Sequence, residues 1–242
     1  MISRRTFLTT GACALLVARF QVGRAQESEV DYEDVDKPFP KYRLYGSKPA
    51  RGPEEDKARD ILTAAPTGKT LLETARYFEQ LTSKNDEGHY YNAQWPTRWN
   101  PVIVGFYQST SLDGDYVYRK GDTIDWCAAF LNWCLRRGGY QRTNSAMSGS
   151  FRLGGGLGRP TTSPKAGDII VFKKADPSEA AVGFGHVGIF VEEAPGGFKV
   201  LGGNQKAGRR YSSVNTSFFP EKSKLLVLDS FRAFETIPMA RR

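Results

Sequence analysis

The sequence predicts an α+β domain with an antiparallel sheet. Apolar residues recur at helical spacing up to about residue 137, and beyond it the pattern changes to short apolar runs bounded by glycine and proline. Helices first and strands later are the order of an α+β fold rather than of alternating βαβ units. At the junction lies one amphipathic helix with a cysteine in its opening turn and a second cysteine two turns on.

Residues 26–53 are acidic, then rich in Pro, Lys and Tyr, and read as an extended arm. Helices are expected over 54–65 and 69–81, the second with Leu71, Leu72, Ala75, Phe78 and Leu81 on one stripe. An aromatic loop with His89, Tyr90, Tyr91, Trp95 and Trp99 follows. Asn100-Pro101 then opens a short helix, Asn as cap and Pro in the first turn. The central helix is expected over 125–137, capped by Asp122 or Thr123 and ended by Arg136-Arg137-Gly138-Gly139. Strands are expected over 168–172, 185–191, 198–201, 211–214 and 225–228. The organisation is thus a leader over 1–25, the arm over 26–53, a helical extension over 54–99 and the main domain over 100–242.

The leader has the form of a twin-arginine export signal. Ser3-Arg4-Arg5-Thr6-Phe7-Leu8 precedes a modestly apolar stretch, and Gly23-Arg24-Ala25 offers small residues for cleavage. Arg19 interrupts that stretch, which is too short to span a bilayer, so no stable membrane insertion is expected after cleavage. The expected location is periplasmic or secreted. Residues 1–25 hold four arginines and no acid, so their loss halves the formal charge from +8 to +4. No Lys/Arg-rich run remains to meet phosphates, which argues against a nucleic-acid partner.

Cofactor motifs fail on inspection. Thr67-Gly68-Lys69-Thr70 lacks the earlier glycine of a phosphate loop and reads as a helix start. Gly154-Gly155-Gly156-Leu157-Gly158 follows no strand and opens no helix, so it reads as a connection. Two histidines, with no HxH, HExxH or CxxC spacing, exclude an ordinary zinc centre, so neither metal nor organic cofactor is expected.

Cys127 and Cys134 lie seven residues apart, about 10 Å along one helix and beyond disulfide reach. Cys134 reads as core. Cys127 stands in the first turn, where helix amides and the positive dipole end stabilise a thiolate. His186, between Gly185 and Gly188 on a strand, is the candidate base. Asn204 closes the next strand after Gly202-Gly203 and is either the group that orients His186 or an ordinary turn residue.

Taken in order, Trp126-Cys127-Ala128-Ala129-Phe130, Ala166-Gly167-Asp168-Ile169-Ile170-Val171-Phe172, Gly185-His186-Val187-Gly188 and Val200-Leu201-Gly202-Gly203-Asn204-Gln205 resemble the CHAP branch of the NlpC/P60 superfamily over residues 100–234. The resemblance implies a papain-like α+β fold, N-terminal helices packed on a small antiparallel sheet, and hydrolysis of amide bonds in peptidoglycan. It implies Cys127 as nucleophile, His186 as base and Asn204 as third residue. Many CHAP domains carry Glu two positions before that Asn, where this chain has Gly202, so Asn204 alone is expected to orient His186. Asp125 and Gln205 are expected to contact substrate, Trp126 either to do so or to lie in the core, and peptidoglycan or its peptide fragments are the expected partner. Two other functions share these residues: a non-catalytic wall-binding protein, and a cysteine acyltransferase.

Overall fold

The computed structural model describes residues 48–234; the expected export signal and most of the expected 26–53 arm lie outside the described residues. Five helices come first: α1 (Gly52–Ala64), α2 (Leu71–Glu79), α3 (Pro101–Phe106), α4 (Gly114–Lys120) and α5 (Cys127–Gly138). Then follow β1 (Arg159–Thr161), β2 (Ile169–Lys174), α6 (Pro177–Ala181), β3 (Gly185–Ala194), β4 (Gly197–Gln205), β5 (Ser213–Pro220) and β6 (Leu226–Ala233). The strands form one antiparallel sheet in the order β1-β6-β2-β3-β4-β5, so the α+β class expected from the sequence is observed.

Local chemistry explains most helix starts. Thr70 accepts from the Glu73 amide at 3.2 Å while Glu73 accepts from the Thr70 amide at 3.0 Å, a reciprocal cap that confirms Thr67–Thr70 as a helix start. Asn100 accepts from the Val102 amide at 2.9 Å, and Pro101 occupies the first turn as expected. The start of α5 departs from expectation. It begins at Cys127 after Trp126, and no side chain caps it. Asp122 instead accepts from the Asn100 amide at 2.9 Å, and the Thr123 hydroxyl donates to the Lys120 carbonyl. Gly139, in the left-handed region at φ 82°, closes the helix as the glycine stop required. Helices α4 and α6, capped by Asp113 and Asp176, are too short to show periodicity and were not expected.

Helix α5 packs on β3 and β4, with α2 and α3 beside it. Phe78, Phe106, Phe130 and Trp133 meet edge-to-face at 5.1–5.9 Å in this core. Ala58 and Ile61 of α1 and Leu71 and Ala75 of α2 belong to the same buried cluster as α5. The other sheet face buries Ile170, Phe172, Phe190, Val200, Phe219 and Leu226. The sheet curls strongly: Phe219 of β5 stacks on Phe172 of β2 at 5.2 Å, although two strands separate them in sheet order.

One ion pair anchors α1. Arg98 donates to both Glu54 carboxylate oxygens, at 3.0 Å from Nε and 2.5 Å from Nη2, with both side chains at least nine-tenths buried. Burial alone would raise the Glu54 carboxyl pKa, but the Arg98 bonds and the Arg51 amide hold it below its ordinary value. Removing Glu54 leaves the buried Arg98 guanidinium with the more exposed Glu87, at 2.8 Å, as its close acid. Glu54→Leu is therefore expected to lower stability by about 3 kcal/mol, and the double variant Glu54→Leu/Arg98→Met to recover most of it, read from urea midpoints. A double variant as unstable as the single one would refute this.

Candidate active site

Strand alternation sends Val187 and Ile189 of β3 to the α5-facing core and His186, Gly188 and Phe190 to the other face. His186 is fully buried, its ring stacked flat on Phe219 at 4.9 Å. Nε2 lies 3.0 Å from Gln205 Oε1. The Gln205 amide nitrogen donates to two carbonyls that can only accept, Asn215 O at 2.7 Å and Val200 O at 3.2 Å. Its oxygen is therefore the atom turned to the imidazole, so Nε2 carries the hydrogen and Nδ1 is the basic nitrogen. Nδ1 is buried and has no hydrogen-bond partner among the described residues.

The contact expected of Asn204 is thus made by Gln205, and a bulge explains why. Gly202 pairs with Asn215 and Gln205 with Ser213, so β4 carries one more residue than β5 across this interval. Asn204 sits in the bulge at φ 60°, a left-handed conformation that Asn tolerates. In an unbroken strand Asn204 would share the His186 face and Gln205 would point away; the extra residue exchanges them. Asn204 instead donates to Asp125 Oδ1 at 3.0 Å, tying β4 to the approach to α5.

Burial decides two other expectations. Gln205 is fully buried in a network with Asn215, whose amide donates to Gln205 O at 2.7 Å and Ser213 Oγ at 2.9 Å. It supports the imidazole rather than lining a cleft. Trp126 is fully buried, stacked on Phe106 at 6.1 Å, and its ring presses so closely on Gly203 that an added Cβ would stand 2.6 Å from it. It is core. Asp125 stays half-buried. Cys127 is buried at the first position of α5, and neither Cys127 nor Cys134 forms a disulfide. Cys134 is core, its thiol pKa pushed far up by desolvation. Asn215 and Phe219 were missed, although Ser213, Asn215, Ser217 and Phe219 alternate along β5 as residues of one face must.

Among the described residues no group of three or more His, Cys, Asp or Glu is placed to hold a metal ion, and no helix is long and apolar enough to cross a membrane.

The α+β architecture, with a cysteine opening the helix that packs on the histidine strand, is that of a papain-like domain. Residues 119–204 match the family model of the CHAP domain, which bears out the resemblance read from the sequence. The match includes Cys127, His186 and Asn204 and stops one residue before Gln205. A CHAP domain implies a peptidoglycan hydrolase or amidase type of function. No curated protein and no solved structure matched the chain.

Burial gives the site an unusual pH dependence. It lowers the His186 pKa to about 4, with the Gln205 hydrogen bond opposing the shift. It raises that of Asp122 to about 8, against the Asn100 amide. A depressed imidazole pKa contributes stability that is present above its unfolded value of about 6.5 and lost as pH falls toward 4. A raised carboxyl pKa contributes stability that is present at low pH and lost as pH rises through 8. The slopes oppose each other between about pH 4 and 6.5; above that only Asp122 acts. Stability is expected to fall by about 2 kcal/mol from pH 6.5 to 8. Asp122→Asn, which keeps an acceptor for Asn100, should flatten this fall in denaturation curves across that range. An unchanged slope would refute the assignment.

Proposed function

We propose that this chain is an exported cysteine amidase or endopeptidase that cleaves amide bonds in peptidoglycan, with Cys127 as nucleophile, His186 as base and Gln205 as the residue positioning the imidazole. The observation that carries the reading is the Gln205–His186 hydrogen bond, which makes Nδ1 the basic nitrogen of a neutral imidazole. His186 removes the Cys127 proton through Nδ1 as the sulfur attacks the amide carbonyl. The resulting imidazolium returns that proton to the leaving amine, and a water activated by the same nitrogen hydrolyses the thioester. Because burial opposes a charged His186, the proton moves during attack rather than resting as a preformed ion pair. Catalytic hydrogen bonds are often long in the free enzyme and tighten only when substrate binds. The first-turn amides of α5 favour negative charge on Cys127, and its own amide is the first oxyanion donor.

Export by the twin-arginine route fits the chemistry, because it delivers a protein whose thiols were buried in a reducing compartment. Replacing Arg4 and Arg5 by Lys should retain the chain in the cytoplasm, and continued export would refute that route.

Mass spectrometry of digested peptidoglycan tests the mechanism. The mature chain should release peptide-bearing fragments, Cys127→Ala none, and Gln205→Ala should reduce kcat by roughly 100-fold. Asn204→Ala, which removes the bond to Asp125 and leaves the imidazole contact in place, should cost far less. Full activity in Cys127→Ala, or a larger loss from Asn204→Ala than from Gln205→Ala, would overturn the assignment. Products joined to an added amine would identify acyl transfer, and no products from any form would identify a wall-binding protein.

A further inference from the structure

Lys174, the last residue of β2, is only 6% exposed, yet its ammonium makes no hydrogen bond among the described residues. Its nearest acid is Glu179 on α6, at 3.9 Å and itself 43% exposed, beyond hydrogen-bond reach. At that distance Glu179 balances the charge but leaves the donors of the ammonium open to water or to an incoming acceptor. The Lys174 side chain lines a cavity of about 360 Å³ together with Arg152, Pro177, Ala180 and Val227. Arg152 is held by the carbonyls of Ala180 and Phe184, which position the guanidinium without cancelling its charge, and its Nε is buried without a partner. Neighbouring Lys173 is already met by Asp229 at 3.6 Å. Arg152 and Lys174 thus both line the cavity, and no carboxylate is among its lining residues.

The position is informative. Phe172 pairs with His186 and Lys173 with Gly185, and the Lys174 amide donates to Phe184 O at 3.2 Å. Lys174 therefore lies two residues along β2 from the partner of His186, about 7 Å by strand rise. An extended peptide covers that span in about two residues.

We infer that this cavity is a carboxylate subsite, taking a free carboxylate one or two residues from the scissile amide of a peptide substrate. The substrate role rests on the function proposed above; carboxylate binding itself does not require catalysis. A carboxylate supplies an acceptor to the guanidinium of Arg152, whose Nε has none, and to the open donors of Lys174, as charge-assisted bonds.

Calorimetry on the mature chain tests it, with an N-acetylated tripeptide bearing a free C-terminal carboxylate, the same peptide as its amide, and inorganic phosphate. The acid should bind at least tenfold more tightly than the amide. Lys174→Met should abolish that preference and Lys174→Arg retain most of it. Thermal melting controls for folding: Lys174→Met should melt close to the parent, because Met keeps the buried stem and loses only a long ion pair to the partly exposed Glu179. Equal binding of acid and amide, or a preference that survives Lys174→Met, would overturn the subsite. Phosphate binding more tightly than the peptide acid would overturn its assignment to substrate in favour of a general oxyanion site. Cys127→Ala should keep the full preference for the acid. If that variant still hydrolyses peptidoglycan, the proposed mechanism fails while the carboxylate preference remains measurable.

Discussion

The close approach of the α5 start to β4 is the constraint on which the site depends. Trp126 lies against Gly203, and no side chain larger than hydrogen fits between its ring and the strand. The strand accommodates the helix at this point with a bulge, and Asn204 takes the left-handed conformation the bulge requires. Three consequences follow from one extra residue. Asn204 turns to Asp125 beside the helix start, Gln205 turns to His186, and Cys127 begins its helix where the chain passes from Trp126. Packing at a tryptophan thus decides which amide reaches the imidazole.

The second organising feature is dryness. His186 lies between the Phe219 ring and the Gln205 amide, and Asp122 is sealed beneath the first turn of α3. Both groups are held neutral near pH 7, the imidazole unprotonated and the carboxyl protonated. Their linkage to stability has opposite sign, so the fold tolerates mild acidity better than His186 alone would permit. A neutral imidazole with a defined tautomer is ready to accept a proton, and the uncapped helix start leaves the adjoining thiol in a field that favours its loss.

Much of this was legible in the sequence. Period alone located α2, α5 and the inward residues of β3, because helical stripes and strand alternation report which side chains meet a core. Cys127 stood out by its place in a first turn, and His186 by its glycine neighbours. Gln205 did not, because alternation carried through Gly202-Gly203-Asn204 assigns the imidazole face to Asn204 and the opposite face to Gln205. Paired glycines before an Asn are themselves a bulge signal, and reading them so would have reversed the assignment. The Asp122 cap was misplaced for a different reason. Its acceptor serves Asn100, 22 residues earlier in the chain, and no local pattern reports a cap made across that distance. Phe219 reaches His186 only because the sheet curls, a property of all its strands together.

Gly202 then acquires a role beyond absence. A Cβ there would lie 2.5 Å from Gln205 Oε1 and 3.5 Å from His186 Nε2, so any side chain at 202 would compete for the space the Gln205 amide occupies. A carboxylate at 202 and the Gln205 contact are alternatives. The choice has an electrostatic meaning. An acid beside Nε2 would favour the imidazolium and raise its pKa, whereas a neutral amide orients the ring while adding little to its basicity. With glycine at 202 and glutamine at 205, burial dominates and His186 stays neutral. Such a site holds its base uncharged until the thiol proton arrives. The substrate then completes the charge distribution that the protein leaves open.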